Sequence, residues 1–175
     1  SEVSPSLSRL IKSSLSLQRV PDSWKKANVI PIFKKGDKSL CTNYRPISLL
    51  TIVSKIAERI VFKYTFNYFR DHSKISRFQS GFTPGDSTVN QLVDLYNTFN
   101  KALDDKKEIR VVFCDQTKAF DRVWHEGLLY KLHMIGVQGN LHHWYEDYLC
   151  NRKQRVIING TFSDWRNIKA GVPQG

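Results

Sequence analysis

The sequence predicts an α+β fold on three observations. Stretches with helical spacing of apolar residues are interleaved with short runs of alternating or continuous apolar residues. An Asn159-Gly160 pair sits between two such runs and marks a tight hairpin. The interleaving is irregular, which favours α+β over a regularly wound parallel sheet. At 175 residues the chain has room for one domain with a real core.

Taken in order, residues 5–19 read as a short helix with Leu7, Leu10, Ile11 and Leu15 on one face, closed by Pro21. "ANVIPIF" reads as a strand, and its internal Pro31 places it at an edge or makes it irregular. It runs into the basic turn "KKGDKS". "YRPISLL" is extended, because Arg45 precedes a proline. From Thr51 to Phe69, Ile52, Val53, Ile56, Ile60, Phe62 and Phe66 predict a long, heavily buried helix. The Gly-, Pro- and Ser-rich "SRFQSGFTPGDST" breaks it. Asp86 or Ser87 then caps a second long helix striped by Val89, Leu92, Val93, Tyr96, Phe99 and Leu103. "IRVVFCD" reads as a strand. "WHEGLLYKLHMIG" is a helix stopped by Gly136, and another helix follows from about Asn140 to Cys150. "RKQRVIINGTFSDWRNIKAGV" supplies two strands about the Asn-Gly turn.

Lys and Arg outnumber Asp and Glu by 27 to 16, a net charge of +11. Such an excess points to a polyanionic partner, nucleic acid foremost, or to a solvated basic surface. No run is long and apolar enough to span a bilayer, and "SEVSPSLSRL" lacks the regions of a signal peptide. Cys41, Cys114 and Cys150 form neither a zinc spacing nor a disulfide framework, which fits an intracellular, reducing setting. The adjacent His142 and His143 diverge on a helix and make no i, i+4 metal pair. Trp24, Trp124, Trp144 and Trp165 can stack on bases, but core packing is the commoner use for three of them. A chain without an initial Met that stops in "AGVPQG" reads as a piece of a longer one.

The run into Asp115 carries the chemistry. In a strand, Ile109, Val111, Phe113 and Asp115 share a face, so three apolar anchors deliver a carboxylate to the strand end. A rigid strand end of this kind suits a hard oxygen ligand for a divalent ion. By itself D-x-x-x-x-F-D is more often a turn or cap aspartate.

In company it is specific. "FCDQTKAFDRVWHEGLLYKL" resembles the first catalytic block of reverse transcriptases from non-LTR (LINE-type, jockey-like) retrotransposons. "IPIFKKGDKS", "NYRPISLL", "QSGFTPGDST" and "GVPQG" stand in the family's order around it, and the resemblance runs from Trp24 to Gly175. It implies the right-hand polymerase fold: fingers plus the first part of the palm, with the thumb absent. Residues 1–86 would be the fingers region and 87–122 the palm helix and first catalytic strand. Residues 123–170 would be helices and a hairpin returning to the fingers, and 171–175 the start of the second palm block.

The resemblance implies an RNA-directed DNA polymerase using two Mg2+ ions, an RNA template, a DNA primer and dNTPs. Asp115 and the carbonyl of Gln116 would hold metal. Lys118 and Ala119 would approach the triphosphate through backbone N–H groups. Phe120 would lie under the incoming sugar and exclude a 2′-hydroxyl, although a lone Phe is more often a core residue. Lys34 (or Lys35) and Arg45 would clamp phosphates, and Gln174 would touch nucleotide and template, with Gly171 and Gly175 permitting close backbone approach. Asp121 would be structural, capping or pairing with Arg122 or Lys118. "QSGFTPGDST" departs from the family string: Thr83 and Asp86 stand where cations are common. The family's later adjacent aspartates have no counterpart, since Asp104-Asp105 precedes Asp115. The chain alone would then bind metal poorly and polymerise nothing. The alternative function is a non-catalytic nucleic-acid-binding relic.

Overall fold

A computed structural model describes residues 3–174. In chain order the elements are α1 (Val3–Ser16), β1 (Lys26–Phe33), β2 (Tyr44–Leu49), α2 (Ile52–Asp71), α3 (Thr88–Asp104), α4 (His125–Met134), α5 (Gly139–Leu149), β3 (Lys153–Ile158), β4 (Thr161–Phe162) and β5 (Arg166–Asn167). The mixed α+β class is as expected. Two compact units are distinguished: the chain up to Thr65 together with that from Thr117 onward, and Phe66–Gln116.

The first unit holds the sheet, in the order β2-β1-β3-β4 with β5 also on β3. β1 pairs antiparallel with β2 and parallel with β3, so it is interior, not the edge strand that Pro31 suggests. The register explains how the proline is accommodated. Ser48 sends its N–H away from β1, to the Gln174 carbonyl at 2.6 Å, so Val29↔Ser48 is a pair without mutual hydrogen bonds. Alternation puts Pro31↔Pro46 in the same class. Pro31 therefore owes β2 no N–H, and the β3 pairing has already ended at Val29↔Val156. The Asn159-Gly160 turn forms as read, with φ of 50° and 78° at its two residues, joining β3 to β4.

The core gathers Ile11, Val20, Trp24, Ala57, Val61 and Trp144. α2 differs from expectation: its buried face is Ser54, Ala57, Val61 and Thr65, while Ile52 is 77% exposed. The positions repeat at helical spacing, but they are small. Ser54 and Ala57 let α2 approach its neighbours closely, Val53 and Ile60 pack at the edge of the core, and Ile52 and Phe62 are turned outward. Several polar groups inside are paired, while Glu58 Oε1 and Arg152 Nε are buried without a hydrogen-bond partner among the described residues. Trp144 Nε1 donates to Ser14 Oγ (3.0 Å), Lys25 meets Asp147 (2.9 Å), and Thr65 and Tyr145 share a 2.9 Å hydrogen bond. Arg152 is 1% exposed; it donates to the carbonyls of Tyr148 (3.0 Å) and Trp24 (3.3 Å) and lies over the Tyr148 ring.

In the second unit Ser87 caps α3 as expected, its side chain accepting from the Asn90 N–H at 3.2 Å. None of the residues of α3 is buried, so its predicted apolar stripe lies uncovered. The strand expected at 109–115 is absent: residues 108–116 carry no strand, and Val112 and Phe113 are 83% and 89% exposed. A strand exists through its ladder, and among the described residues none pairs with this stretch.

Candidate active site

In the first unit a left-handed Lys118 (φ 54°) turns the chain into a single 3₁₀ turn, Phe120–Arg122. Asp121 closes it by donating its N–H to the Lys118 carbonyl at 3.1 Å. The segment 171–174 is stitched to this turn. Gly171 N–H donates to the Val123 carbonyl and Val172 N–H to the Phe120 carbonyl, both at 2.8 Å. The Gly171 carbonyl lies 2.7 Å from His125 Nε2, and the Gln174 carbonyl takes the Ser48 N–H of β2.

Gly171 is required here. Its φ is 88°, and a Cβ would stand 2.7 Å from the Asp121 carbonyl oxygen. Both the conformation and the approach exclude a side chain. Gly171→Ala is expected to cost about 2–3 kcal/mol, read as a lowered urea midpoint; an unchanged midpoint would show that the stitch carries no stability.

The stitching leaves a cleft of about 280 Å³ walled by Lys118, Asp121, Gly171, Gln174, Pro46 and Ser48, with Ala27 and Gln154 also on its lining. Three separated parts of the sequence meet here: the 118–121 turn, the 171–174 segment and the sheet. Of the residues the sequence singled out, Lys118 and Gln174 line the cleft, Phe120 anchors it through its carbonyl, and Ala119 opens the turn. Asp121 is on the wall but, among the described residues, makes no ion pair with Arg122 or Lys118. Its backbone lies where a side chain at Gly171 would have to go.

Arg45 and Lys34 are not in the cleft. Pro46 and Ser48 face it, so strand alternation turns Arg45 to the opposite face. Lys34 follows β1, its N–H donated to the Asn43 carbonyl at 2.9 Å and its side chain exposed. Asp115 and Gln116 end the second unit, both exposed. Gly175 lies outside the described residues. Among the described residues no three His, Cys, Asp or Glu side chains converge as a metal site. One carboxylate and one carbonyl are too few donors to hold two magnesium ions without further protein ligands.

The "QSGFTPGDST" loop, also in the second unit, shows what replaced its cations. Asp86 accepts from Ser80 Oγ (2.6 Å), the Ser87 N–H (2.7 Å) and Asn90 Nδ2 (3.1 Å). These bonds, Ser80 first, hold its carboxyl below the usual carboxylate range. Thr83 Oγ1 donates to the Gln79 carbonyl at 2.9 Å. Both positions therefore serve the loop's own geometry. His142 Nε2 lies 3.1 Å from the Leu129 carbonyl.

Residue typing alone misses His125, Ser48 and Gln154. Ser48 acts through its backbone N–H and His125 through its imidazole at the Gly171 carbonyl.

The reverse transcriptase (RNA-dependent DNA polymerase) family model matches residues 32–175. The chain is 35% identical over 170 residues to "Probable RNA-directed DNA polymerase from transposon BS" of Drosophila melanogaster, covering 97% of this chain and 19% of that protein. It is 35% identical over 170 residues to "RNA-directed DNA polymerase from mobile element jockey" of the same organism, covering 97% and 18%. It is 26% identical over 158 residues to the "Retrovirus-related Pol polyprotein from type-1 retrotransposable element R2" of Popillia japonica, covering 89% and 22%. The chain thus spans about one fifth of the length of the curated relatives it matches.

Proposed function

Because the chain belongs to the reverse transcriptase (RNA-dependent DNA polymerase) family, in its non-LTR retrotransposon branch, we propose that it forms part of an RNA-directed DNA polymerase. The reaction is nucleotidyl transfer from a dNTP to a primer 3′-hydroxyl on an RNA template. The observation that carries this reading is the stitched cleft, which brings Lys118 and Gln174 together from blocks more than fifty residues apart. Lys118 and Ala119 offer their backbone N–H groups to the triphosphate. Lys34 and Arg45, exposed on the β1–β2 connection and β2, reach phosphates from the fingers. Asp115 and the Gln116 carbonyl contribute to a magnesium site that needs further acids. In domain terms, 1–86 is the fingers region, 87–122 and 171–175 belong to the palm, and the helices and hairpin of 123–170 return to the fingers.

Primer extension on an RNA template by the full-length gene product tests the reading; product made only with Mg2+ and dNTPs supports it. A second reading, a non-catalytic binding relic, draws on the lack of a metal-ligand cluster among the described residues. Persistent RNA binding with no extension would favour it.

Phe120 offers a sharper test. Its carbonyl is held by Val172 and its side chain is 38% exposed, which suits a ring set under a sugar. Phe120→Ala is expected to raise ribonucleotide use relative to deoxynucleotide use about tenfold or more, compared as kcat/KM. An unchanged ratio would remove Phe120 from that role.

No helix among the described residues is long and apolar enough to cross a membrane.

A further inference from the structure

We infer that the face of the sheet opposite the cleft binds single-stranded nucleic acid, stacking bases on Phe162 and Trp165. Strand alternation separates the two faces. Ala27, Ser48 and Gln154 line the cleft, so Lys26, Asn28, Lys153 and Arg155 point the other way. The pairings Lys26↔Lys153 and Asn28↔Arg155 set these four side by side.

Arg155 organises the surface. Its Nε donates to Asn28 Oδ1 at 2.8 Å, which fixes the guanidinium plane. Its Cζ lies 4.0 Å from the Phe162 ring centroid and 4.6 Å from that of Trp165, and Lys26 Nζ lies 5.9 Å from the same indole. The cations thus hold both rings in place while leaving them 51% and 39% exposed. Core packing explains Trp24 and Trp144, which are 4% and 2% exposed; it does not explain these two rings.

Charge selects the partner. No strand of the sheet carries a carboxylate, and on this face Lys26, Lys153 and Arg155 stand together as cations. Such a surface attracts a polyanion. Half-exposed rings among the cations favour a polyanion with open base faces, which a single strand offers and a duplex conceals. The inference rests on the proposed function only for the nature of the polymer. The surface itself is separate from the cleft and holds the strand without taking part in the chemistry.

Fluorescence anisotropy of the 175-residue chain tests this, using labelled single-stranded RNA of about 12 nucleotides, the same length of single-stranded DNA, and a duplex. Phe162→Ala and Trp165→Ala are each expected to weaken single-strand binding about tenfold, while Trp165→Phe keeps most of it. Lys153→Ala is expected to reduce the slope of log K against log salt by about 0.7. Thermal melting of each variant confirms that it is folded. Which single strand binds more tightly identifies the natural polymer. The inference is overturned if the wild-type chain binds neither strand, if folded alanine variants bind as wild type does, or if duplex binds equally well and is equally insensitive. The polymerase reading fails by a different readout, absent primer extension, so the two failures are told apart.

Discussion

Arg152→Ala is expected to lower the unfolding free energy of the chain by about 3–5 kcal/mol, two charged hydrogen bonds at about 1.5–3 kcal/mol each. The side chain is 1% exposed and ties the end of α5, through Tyr148, to the turn before β1, through Trp24. It also faces the half-buried Glu58. Burial pushes the Glu58 carboxyl up from its ordinary value, and the Arg152 charge, with Tyr148, offsets part of that rise. The same burial pushes the Tyr148 phenol up.

The sign of the pH dependence follows. A carboxyl whose folded pKa is raised favours the folded state while it is protonated in both states, below the ordinary 4.5. That contribution is lost as pH rises through the folded pKa. Without Arg152 the folded pKa climbs further, so the deficit of the variant grows with pH. Urea unfolding followed by circular dichroism should show a larger loss at about pH 8 than at about pH 5. Arg152→Met combined with Glu58→Gln should recover part of the loss, because neither buried charge is then left alone. A loss that is equal at both pH values would mean that Glu58 is not coupled to Arg152.

Asp115→Asn is expected to reduce magnesium-dependent primer extension by the full-length gene product about a thousandfold, the effect of several kcal/mol of lost charge stabilisation. The substitution keeps size and removes charge. Asp115 is exposed in a stretch without strand pairing, so folding should be unaffected and the loss should fall on synthesis alone. RNA binding measured alongside should stay at the wild-type level. Retained extension would show that the carboxylate at Asp115 is not part of the polymerase centre.

Local signals were legible in the sequence where one residue's chemistry decides the backbone. Ser87 as a cap, Asn159-Gly160 as a turn and Gly136 as a helix stop each form as read. Signals that depend on neighbours were not. Pro31 reads as an edge residue until the β1–β3 pairing is seen to end two residues earlier, at Val29. The apolar count over α2 pointed to Ile52 and Phe62, whereas close helix packing selects Ser54 and Ala57. "IRVVFCD" has strand chemistry, but no sequence pattern announces whether a partner strand will lie beside it. At the site, Lys118 and Gln174 were legible by resemblance to a family. The contacts that join them run through the backbones of Gly171, Val172 and Ser48, and a hydrogen bond between main chains leaves no mark in residue type.

The pairing of Pro31 with Pro46 also governs how the sheet ends. Of the β2 residues whose N–H groups point outward, Pro46 has none to offer and Ser48 has given its own to Gln174. Tyr44 has turned its N–H to the Cys41 carbonyl, so an approaching strand from a second molecule would find no free donor on these three residues. Sheet growth from chain to chain is therefore blocked at β2 by the covalent structure of one residue and by a four-residue segment lying alongside.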